Sequence, residues 1–130
     1  MKSRIAVFFL GATFWALRAL AGPPASDDRF LVARDAVRAG DRAKFERVAP
    51  ELQEHDLAAY VDYWRLLLDI STVDAATVKP FLKRYEGSYL AEKLRSEWLK
   101  QLGKQGRWAE FDAEYPALVQ PDQELTCYAL

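Results

Sequence analysis

Residues 40–52 read GDRAKFERVAPEL, and residues 106–118 read GRWAEFDAEYPAL. The two stretches share glycine, phenylalanine, proline and leucine at the same spacing, and they lie 66 residues apart, about twice the length of a helix-turn-helix repeat unit. In each copy the glycine is suited to end one helix. The phenylalanine is expected to pack into the core from the following helix, and the proline is expected to kink or stop that following helix. The repeat therefore predicts an all-α solenoid of stacked helix-turn-helix hairpins, a scaffold that supplies surface but no chemistry of its own.

Capping and helix-breaking residues divide the chain into about seven helices, expected as three hairpins and the first half of a fourth. The first helix is expected to begin at Ser26 or Asp27 and to run to about Arg38. Pro80 lies beyond the first turn of the fourth helix, so we expect a kink or a late start there. The other predicted stops and starts are Gly40, Asp41, Asp56, Asp74, Gly87, Ser88, Gly106 and Asp122.

Apolar residues recur at helical spacing in each of these segments, and no run alternates apolar and polar residues for long enough to predict a strand. The longest apolar stripe follows Asp56. The residues predicted to face the core are Phe30, Ala33, Val37, Phe45, Val48, Ala49, Leu52, Leu57, Tyr60, Val61, Trp64, Leu67, Leu68, Val78, Phe81, Leu82, Tyr85, Leu90, Leu94, Trp98, Leu102, Trp108, Phe111, Tyr115 and Leu118.

The beginning of the chain has the pattern of an export signal. Lys2 and Arg4 precede an uncharged apolar run at positions 5–17, which is short for a membrane span. Ala19 and Ala21 then place small residues at alternate positions, as signal peptidase requires. A retained anchor helix is the alternative, whereas a lipoprotein anchor is excluded because no cysteine lies directly after the apolar run.

These signals predict three segments. We expect residues 1–21 to be a signal peptide, residues 22–26 a linker with two prolines, and residues 27–130 a helical-repeat domain. The expected location is the periplasm, with no stable membrane anchor after cleavage.

The charge of the exported chain bears on its partners. Loss of the signal removes three cations and no acid, which takes the net charge from −1 to −4. Nucleic-acid binding needs concentrated Lys and Arg to displace counterions from phosphates. We therefore expect no nucleic-acid partner, and a small DNA-binding regulator is the weakest of three candidate functions.

Cys127 is the only cysteine, so no intrachain disulfide forms and the fold depends on its core. We expect Cys127 to be a small buried side chain in the last helix. An exposed thiol, prone to pairing in an oxidising compartment, is the alternative.

Residues that bind metals or activate nucleophiles are scarce. The single histidine, His55, lies in a polar loop beside acids, and we expect it to be solvated. One histidine and one cysteine do not make a three- or four-ligand zinc site. Gly103 and Gly106 follow no predicted strand, so they do not form a phosphate-binding loop. The sequence predicts no catalytic, metal-binding or cofactor-binding residues, and no cofactor.

Paired carboxylates are the catalytic arrangement that the composition leaves open. The acids interleave with Arg and Lys opposite the apolar stripes, as on a solvated helix surface, and no apolar pocket that would raise a carboxyl pKa is implied. We expect both acidic clusters to lie at the surface: Glu51, Glu54 and Asp56 in one, and Glu110, Asp112 and Glu114 in the other.

Four Trp and six Tyr raise the hypothesis of a carbohydrate-binding surface. Most of these aromatic residues lie on the predicted inner stripes, where core packing is the expected role. Tyr63 and Tyr89 fall off the best stripes, so their exposure bears most directly on the hypothesis.

The last segment starts an apolar stripe with Leu125, Tyr128 and Ala129 that stops at Leu130 without a polar cap. Since a solenoid normally closes with a polar capping repeat, we expect this chain to be the front part of a longer protein. A short terminal helix that docks and ends is the alternative.

Five stretches, in order along positions 27–130, resemble the start of the mature soluble lytic transglycosylases of Gram-negative bacteria. The ordered series behind an export signal carries the resemblance. The stretches are DDRFLVARDAVRAGD at 27–41, YVDYW at 60–64, FLKRY at 81–85, LAEKLRSEWL at 90–99 and WAEFDAEYP at 108–116.

The resemblance implies a right-handed superhelix of helical hairpins, the non-catalytic arm of a periplasmic enzyme that cleaves peptidoglycan glycan strands. In that family the arm packs with a downstream lysozyme-like domain, whose Glu-Ser motif contains the catalytic glutamate. This chain has no Glu-Ser pair, so peptidoglycan is implied as a partner only through the full-length enzyme. Pro80 departs from the family pattern, which continues a helix at that position.

A free-standing periplasmic helical-repeat adaptor that binds a protein or peptide is the alternative function. Repeats without catalytic groups fit it equally well. The scaffold hypothesis predicts no lytic activity from this chain alone.

Overall fold

A computed structural model describes residues 25–130, and within them the fold is all-helical, with no strand. The predicted signal peptide and the first three linker positions lie outside the described residues. The seven α-helices of this part of the chain match the predicted number. They are α1 (Ala25–Arg38), α2 (Arg42–Val48), α3 (Ala58–Leu68), α4 (Ala75–Arg84), α5 (Tyr89–Lys104), α6 (Trp108–Glu114) and α7 (Gln123–Tyr128), with 3₁₀ helices at Ala49–Leu52 and Tyr115–Ala117.

Both copies of the sequence repeat begin with the same turn. Gly40 and Gly106 have φ angles of 66° and 68°, which only glycine adopts without strain. Each donates its N–H to the carbonyl three residues earlier, and the next residue, Asp41 or Arg107, donates to the carbonyl five residues back. This pair of bonds is a Schellman motif. The prediction that these glycines end helices is confirmed.

The helices after these two turns are also alike. Helices α2 and α6 have seven residues each, and each stops where a 3₁₀ helix with proline in its first two positions begins. Phe45 and Phe111 are fully buried, and Leu52 and Leu118 are buried at the ends of the two copies. Proline stops the α-helix because it has no N–H to donate. The sequence repeat is therefore also a repeat of turn, helix and 3₁₀ segment in the structure.

Two clusters of buried side chains form the core of the described residues, and α3 joins them. Val61 belongs to the smaller cluster, Tyr63 to the larger, and Trp64 packs against both. Helix α3 therefore has two buried faces. The other members of the smaller cluster are Ala33, Ala36, Phe45, Ala49 and Leu52, and those of the larger are Val78, Phe81, Leu82, Leu90, Ala91, Leu94, Trp98, Leu99, Leu102, Phe111, Leu118 and Leu125.

The double packing of α3 corrects its predicted stripe. Tyr63, off the stripe, is 3% exposed, whereas Leu57 and Tyr60, on it, are 41% and 38% exposed. A single stripe describes a helix that packs on one side only, and α3 packs on two. Asp56 does not cap this helix, because Leu57 occupies the N-cap position and makes no side-chain capping bond.

Most other predicted caps are confirmed, since each side chain accepts the N–H of the third residue after it. At the first helix the prediction is wrong, because Ser26 and Asp27 already lie inside α1. Helix α4 begins at Ala75 with Pro80 inside it, so a late start is excluded. The alternative, a kink at Pro80, stays a prediction. The confirmed caps are Asp41, Asp74, Ser88 and Asp122.

Candidate functional site

The predicted acidic clusters lie largely at the surface, where several members bind arginines. Glu51 forms an ion pair with an arginine of α1, and Glu110 accepts a hydrogen bond from Arg107 at 2.7 Å. Glu114 differs from the prediction: its side chain is 13% exposed, because it accepts a 2.9 Å bond from the partly buried Arg95. The exposed members are Glu51, Glu54, Asp56 and Asp112.

The carboxyl groups with clearly shifted pKa values do not behave as general acids. A bond from the side chain of Thr77 lowers the pKa of Asp74, and a bond from Lys100 lowers the pKa of Asp122. Both aspartates are N-caps, so backbone N–H groups stabilise the charged form further. A general acid needs a raised pKa, so these two carboxylates serve helix capping.

His55 is not the solvated loop residue that its neighbours in sequence predict. Its side chain is 10% exposed, and its ring stacks on Phe30 with centroids 5.1 Å apart. Nδ1 accepts the N–H of Leu57 at 3.0 Å, so Nε2 carries hydrogen and donates to Asp27 at 3.0 Å. Both ring nitrogens are engaged, and the histidine joins α1 to the loop before α3. Asp27 lies 28 residues earlier in the chain, so no local pattern could have revealed this contact.

The single thiol is exposed, which contradicts its predicted burial. Helix α7 buries Leu125 instead, and Cys127 lies two positions further on, on the opposite side of the helix. The cysteine is free, so its thiol is accessible in the folded chain.

The two tyrosines that bear on carbohydrate binding have opposite environments. Tyr63 is buried, and its hydroxyl has no partner among the described residues. Burial raises the pKa of Tyr63 to about 12, and the nearby Glu97 and Tyr89 add to the effect. Tyr89, in contrast, is 68% exposed. Tyr63 belongs to the core, and Tyr89 is the tyrosine available to a ligand.

One surface depression, here the Tyr85 groove, lies beside α3 and the end of α4. It consists of adjoining spaces of about 330 and 300 Å³ that share Asp62, Arg65, Arg84 and Tyr85. Three of the four shared polar side chains bind neighbours: Tyr85 donates to Asp62 at 3.1 Å, and Arg65 donates to Glu46 at 3.2 Å. Burial, aided by the bond to Asp62, raises the pKa of Tyr85. The groove is therefore mainly a site of packing between helices.

A second depression, here the Tyr89 cleft, lies between the start of α5 and the segment 117–120. Its volume is about 600 Å³, and the exposed ring of Tyr89 forms one side. The carboxylate of Glu92 accepts the main-chain N–H groups of Val119 at 2.8 Å and Gln120 at 2.9 Å, which holds the other side in place. An exposed aromatic face next to hydrogen-bonding groups suits the binding of a small polar ligand.

Two further observations concern the described part of the chain only. No group of three or more His, Cys, Asp and Glu residues in it is arranged to hold a metal ion. None of its helices combines the length and the apolar character that a membrane crossing requires.

Comparison with known proteins finds no match, either among protein-family models or among curated proteins and solved structures.

Proposed function

We propose that this chain is a non-catalytic helical scaffold of a periplasmic lytic transglycosylase, an enzyme that cleaves the glycan strands of peptidoglycan. Residues 27–130 then belong to a right-handed superhelix of helical hairpins, and the catalytic glutamate lies in a lysozyme-like domain of the full-length enzyme. The observation that carries the proposal is the repeat of turn, helix and 3₁₀ segment that begins at Gly40 and again at Gly106.

A structural repeat supports a superhelix because units with the same turn geometry stack with a constant rotation. Helix α3 contributes Val61 to one core cluster and Tyr63 to the other, which supports a core that continues from one unit to the next. Repeating this arrangement builds an elongated, curved array whose function is to present surface.

The residues that carry the family resemblance mostly pack between helices. Leu94, Leu99 and Phe111 are fully buried, and Arg95 forms a partly buried ion pair with Glu114. Such residues specify how helices meet, so they support a shared architecture. The role in peptidoglycan cleavage is supported by their order behind the predicted export signal.

Two measurements test the proposal: the DNA sequence beyond this chain, and the release of fragments from peptidoglycan. DNA sequencing beyond the codon for Leu130 is expected to show an open frame that continues into a lysozyme-like domain with a Glu-Ser pair. The full-length product is expected to release soluble fragments from purified sacculi, and this chain alone is expected to release none. Release of fragments by this chain would contradict a non-catalytic role.

A free-standing periplasmic adaptor is the second candidate, and exposed apolar side chains favour it. Leu31 and Val32 on α1, with Leu57 and Tyr60 at the start of α3, are between 36% and 44% exposed. Exposed apolar residues of this kind fit a protein or peptide partner. An immediate stop codon after Leu130, together with export of the intact chain, would favour the adaptor over the scaffold.

A further inference from the structure

We propose that the Tyr89 cleft binds neutral sugar rings of a β-linked N-acetylated glycan. The identity of that glycan rests on the proposed function, and the place rests on the cleft. The Tyr89 ring is 68% exposed beside a space of about 600 Å³, which is within the range of small-molecule sites. A pyranose ring has one face made of C–H groups, which packs on a flat aromatic face, while its rim carries hydroxyl groups that need hydrogen-bonding partners.

The side of the cleft opposite Tyr89 is held in position before any ligand binds. Besides the two main-chain bonds to Glu92, Arg95 donates to the carbonyl of Ala117 at 3.3 Å and to Glu114 at 2.9 Å. The side chains of Arg95 and Glu114 are only 16% and 13% exposed, so this ion pair is shielded from water and salt. A wall that is already ordered loses little conformational entropy when a ligand binds.

The remaining polar groups of the cleft match a sugar. Glu86, Ser88 and Gln120 lie along it, and a carboxylate or side-chain amide has two positions from which to bond adjacent hydroxyls or an acetamido group. The Ser88 hydroxyl oxygen already accepts the N–H of Ala91 at 3.2 Å, which leaves its hydrogen free to donate. The cleft therefore has both donors and acceptors next to its aromatic face.

The charges of the cleft favour a neutral ligand over an anionic one. Arg95, the cation in its lining, is already paired with Glu114 and lies 3.8 Å from Glu92. Lys93 adds a second cation beside the cleft, because its Nζ donates to the Tyr89 hydroxyl at 3.4 Å and lies 5.7 Å from the centre of the Tyr89 ring. Glu86 adds a negative charge. A phosphorylated ligand or a nucleic acid needs unpaired cations to replace its counterions. The large exposed apolar side chains of the lining are Tyr89 and Val119, too few to receive the apolar face of a partner helix.

Tyr60 provides a matched control residue. It is also an exposed tyrosine near the start of a helix, at 38%, but it packs against Trp64 with centroids 5.9 Å apart and lies outside the Tyr89 cleft. Its removal deletes a similar ring from the surface and leaves the cleft intact.

The experiment titrates the chain, purified after export, with chitotetraose, the β-1,4-linked tetramer of N-acetylglucosamine, and follows main-chain amide signals by NMR. Shifts are expected in the amides of residues 86–92 and 117–120, with a Kd of about 1 mM. Tyr89→Ala is expected to weaken binding by about tenfold, or about 1.4 kcal/mol. Tyr89→Phe keeps the ring and is expected to stay within about threefold of the parent, and Tyr60→Ala is expected to bind as the parent does.

Shifts confined to other surfaces, or undiminished binding by a folded Tyr89→Ala variant, would overturn the proposal. Gln120→Ala serves as a second variant, because it removes the side-chain amide and keeps the main-chain bond to Glu92. It is expected to weaken binding, and a folded Gln120→Ala variant that binds chitotetraose as tightly as the parent would contradict the assignment of this side chain to the site. The reading frame beyond Leu130 tests the proposed function separately: a lysozyme-like domain without chitotetraose binding refutes only the cleft, and binding without such a domain refutes only the scaffold.

Discussion

Replacing Gly103 with alanine is expected to destabilise the protein when Tyr128 is present and to stabilise it when Tyr128 is absent. Gly103 is a buried residue inside α5, and its backbone is not left-handed. A Cβ atom at this position would lie 2.8 to 3.0 Å from three atoms of the Tyr128 ring, closer than the roughly 3.5 Å at which carbon atoms pack. The ring therefore has to move.

Two opposing terms set the size of the effect. Alanine is favoured over glycine inside a helix by about 1 kcal/mol. Against this, the Tyr128 ring loses part of its packing against Trp108 and Phe111, whose centroids lie 6.0 and 6.3 Å away, and overpacking of this kind costs about 1–3 kcal/mol. Gly103→Ala is therefore expected to lower the free energy of unfolding by about 1 kcal/mol when Tyr128 is present and to raise it by about 1 kcal/mol when Tyr128 is absent. The coupling free energy between the two positions is then about 2 kcal/mol.

Urea unfolding, followed by tryptophan fluorescence and circular dichroism, measures this coupling on the parent, Gly103→Ala, Tyr128→Ala and the double variant. Gly106→Ala is the control, because its Cβ atom would have only one close neighbour, at 3.8 Å, while its φ of 68° strains any side chain. That strain is expected to cost about 1–2 kcal/mol whether or not Tyr128 is present. A coupling free energy below about 0.5 kcal/mol for Gly103 and Tyr128 would refute the steric argument.

Three further predictions concern pH, the thiol and the histidine. The bond from Lys100 holds the pKa of Asp122 below its unfolded value, so the stability that Asp122 contributes is present above about pH 4 and is lost as the pH falls through the folded pKa. Asp122→Asn keeps a capping side chain but does not titrate. Urea unfolding at pH 7 and pH 3 should therefore show that this variant loses less free energy of unfolding on acidification than the parent does. Iodoacetamide should label the exposed Cys127 of the folded chain, as seen by mass spectrometry, and labelling only after urea is added would contradict its exposure. His55→Ala should lower the free energy of unfolding by about 1–2 kcal/mol because two hydrogen bonds are lost, whereas the exposed Asp56→Ala should change it by less than about 0.5 kcal/mol; equal effects would show that the histidine contacts are not maintained in solution.

Much of the helical framework follows from local sequence. The turns at Gly40, Gly87 and Gly106 have positive φ angles, and caps such as Asp74 and Ser88 bond three residues ahead. These features depend on atoms within about five positions along the chain, so the identities of neighbouring residues are sufficient to predict them. The number of helices and the structural repeat follow from the same local signals.

The environment of single side chains was decided by the tertiary structure. Tyr63 is buried because a second group of helices covers α3, and His55 is nearly enclosed because Asp27 and Phe30 approach from a distant helix. The Tyr89 cleft likewise exists because Glu92 binds the main chain 27 and 28 residues further on. Periodicity predicts that a helix has an apolar face, but the number of helices that pack against it, and the segments that meet at its end, depend on contacts between residues far apart in the chain. For this reason sequence alone predicted the helices, and the packing of those helices determined which aromatic rings, among them that of Tyr89, remain exposed.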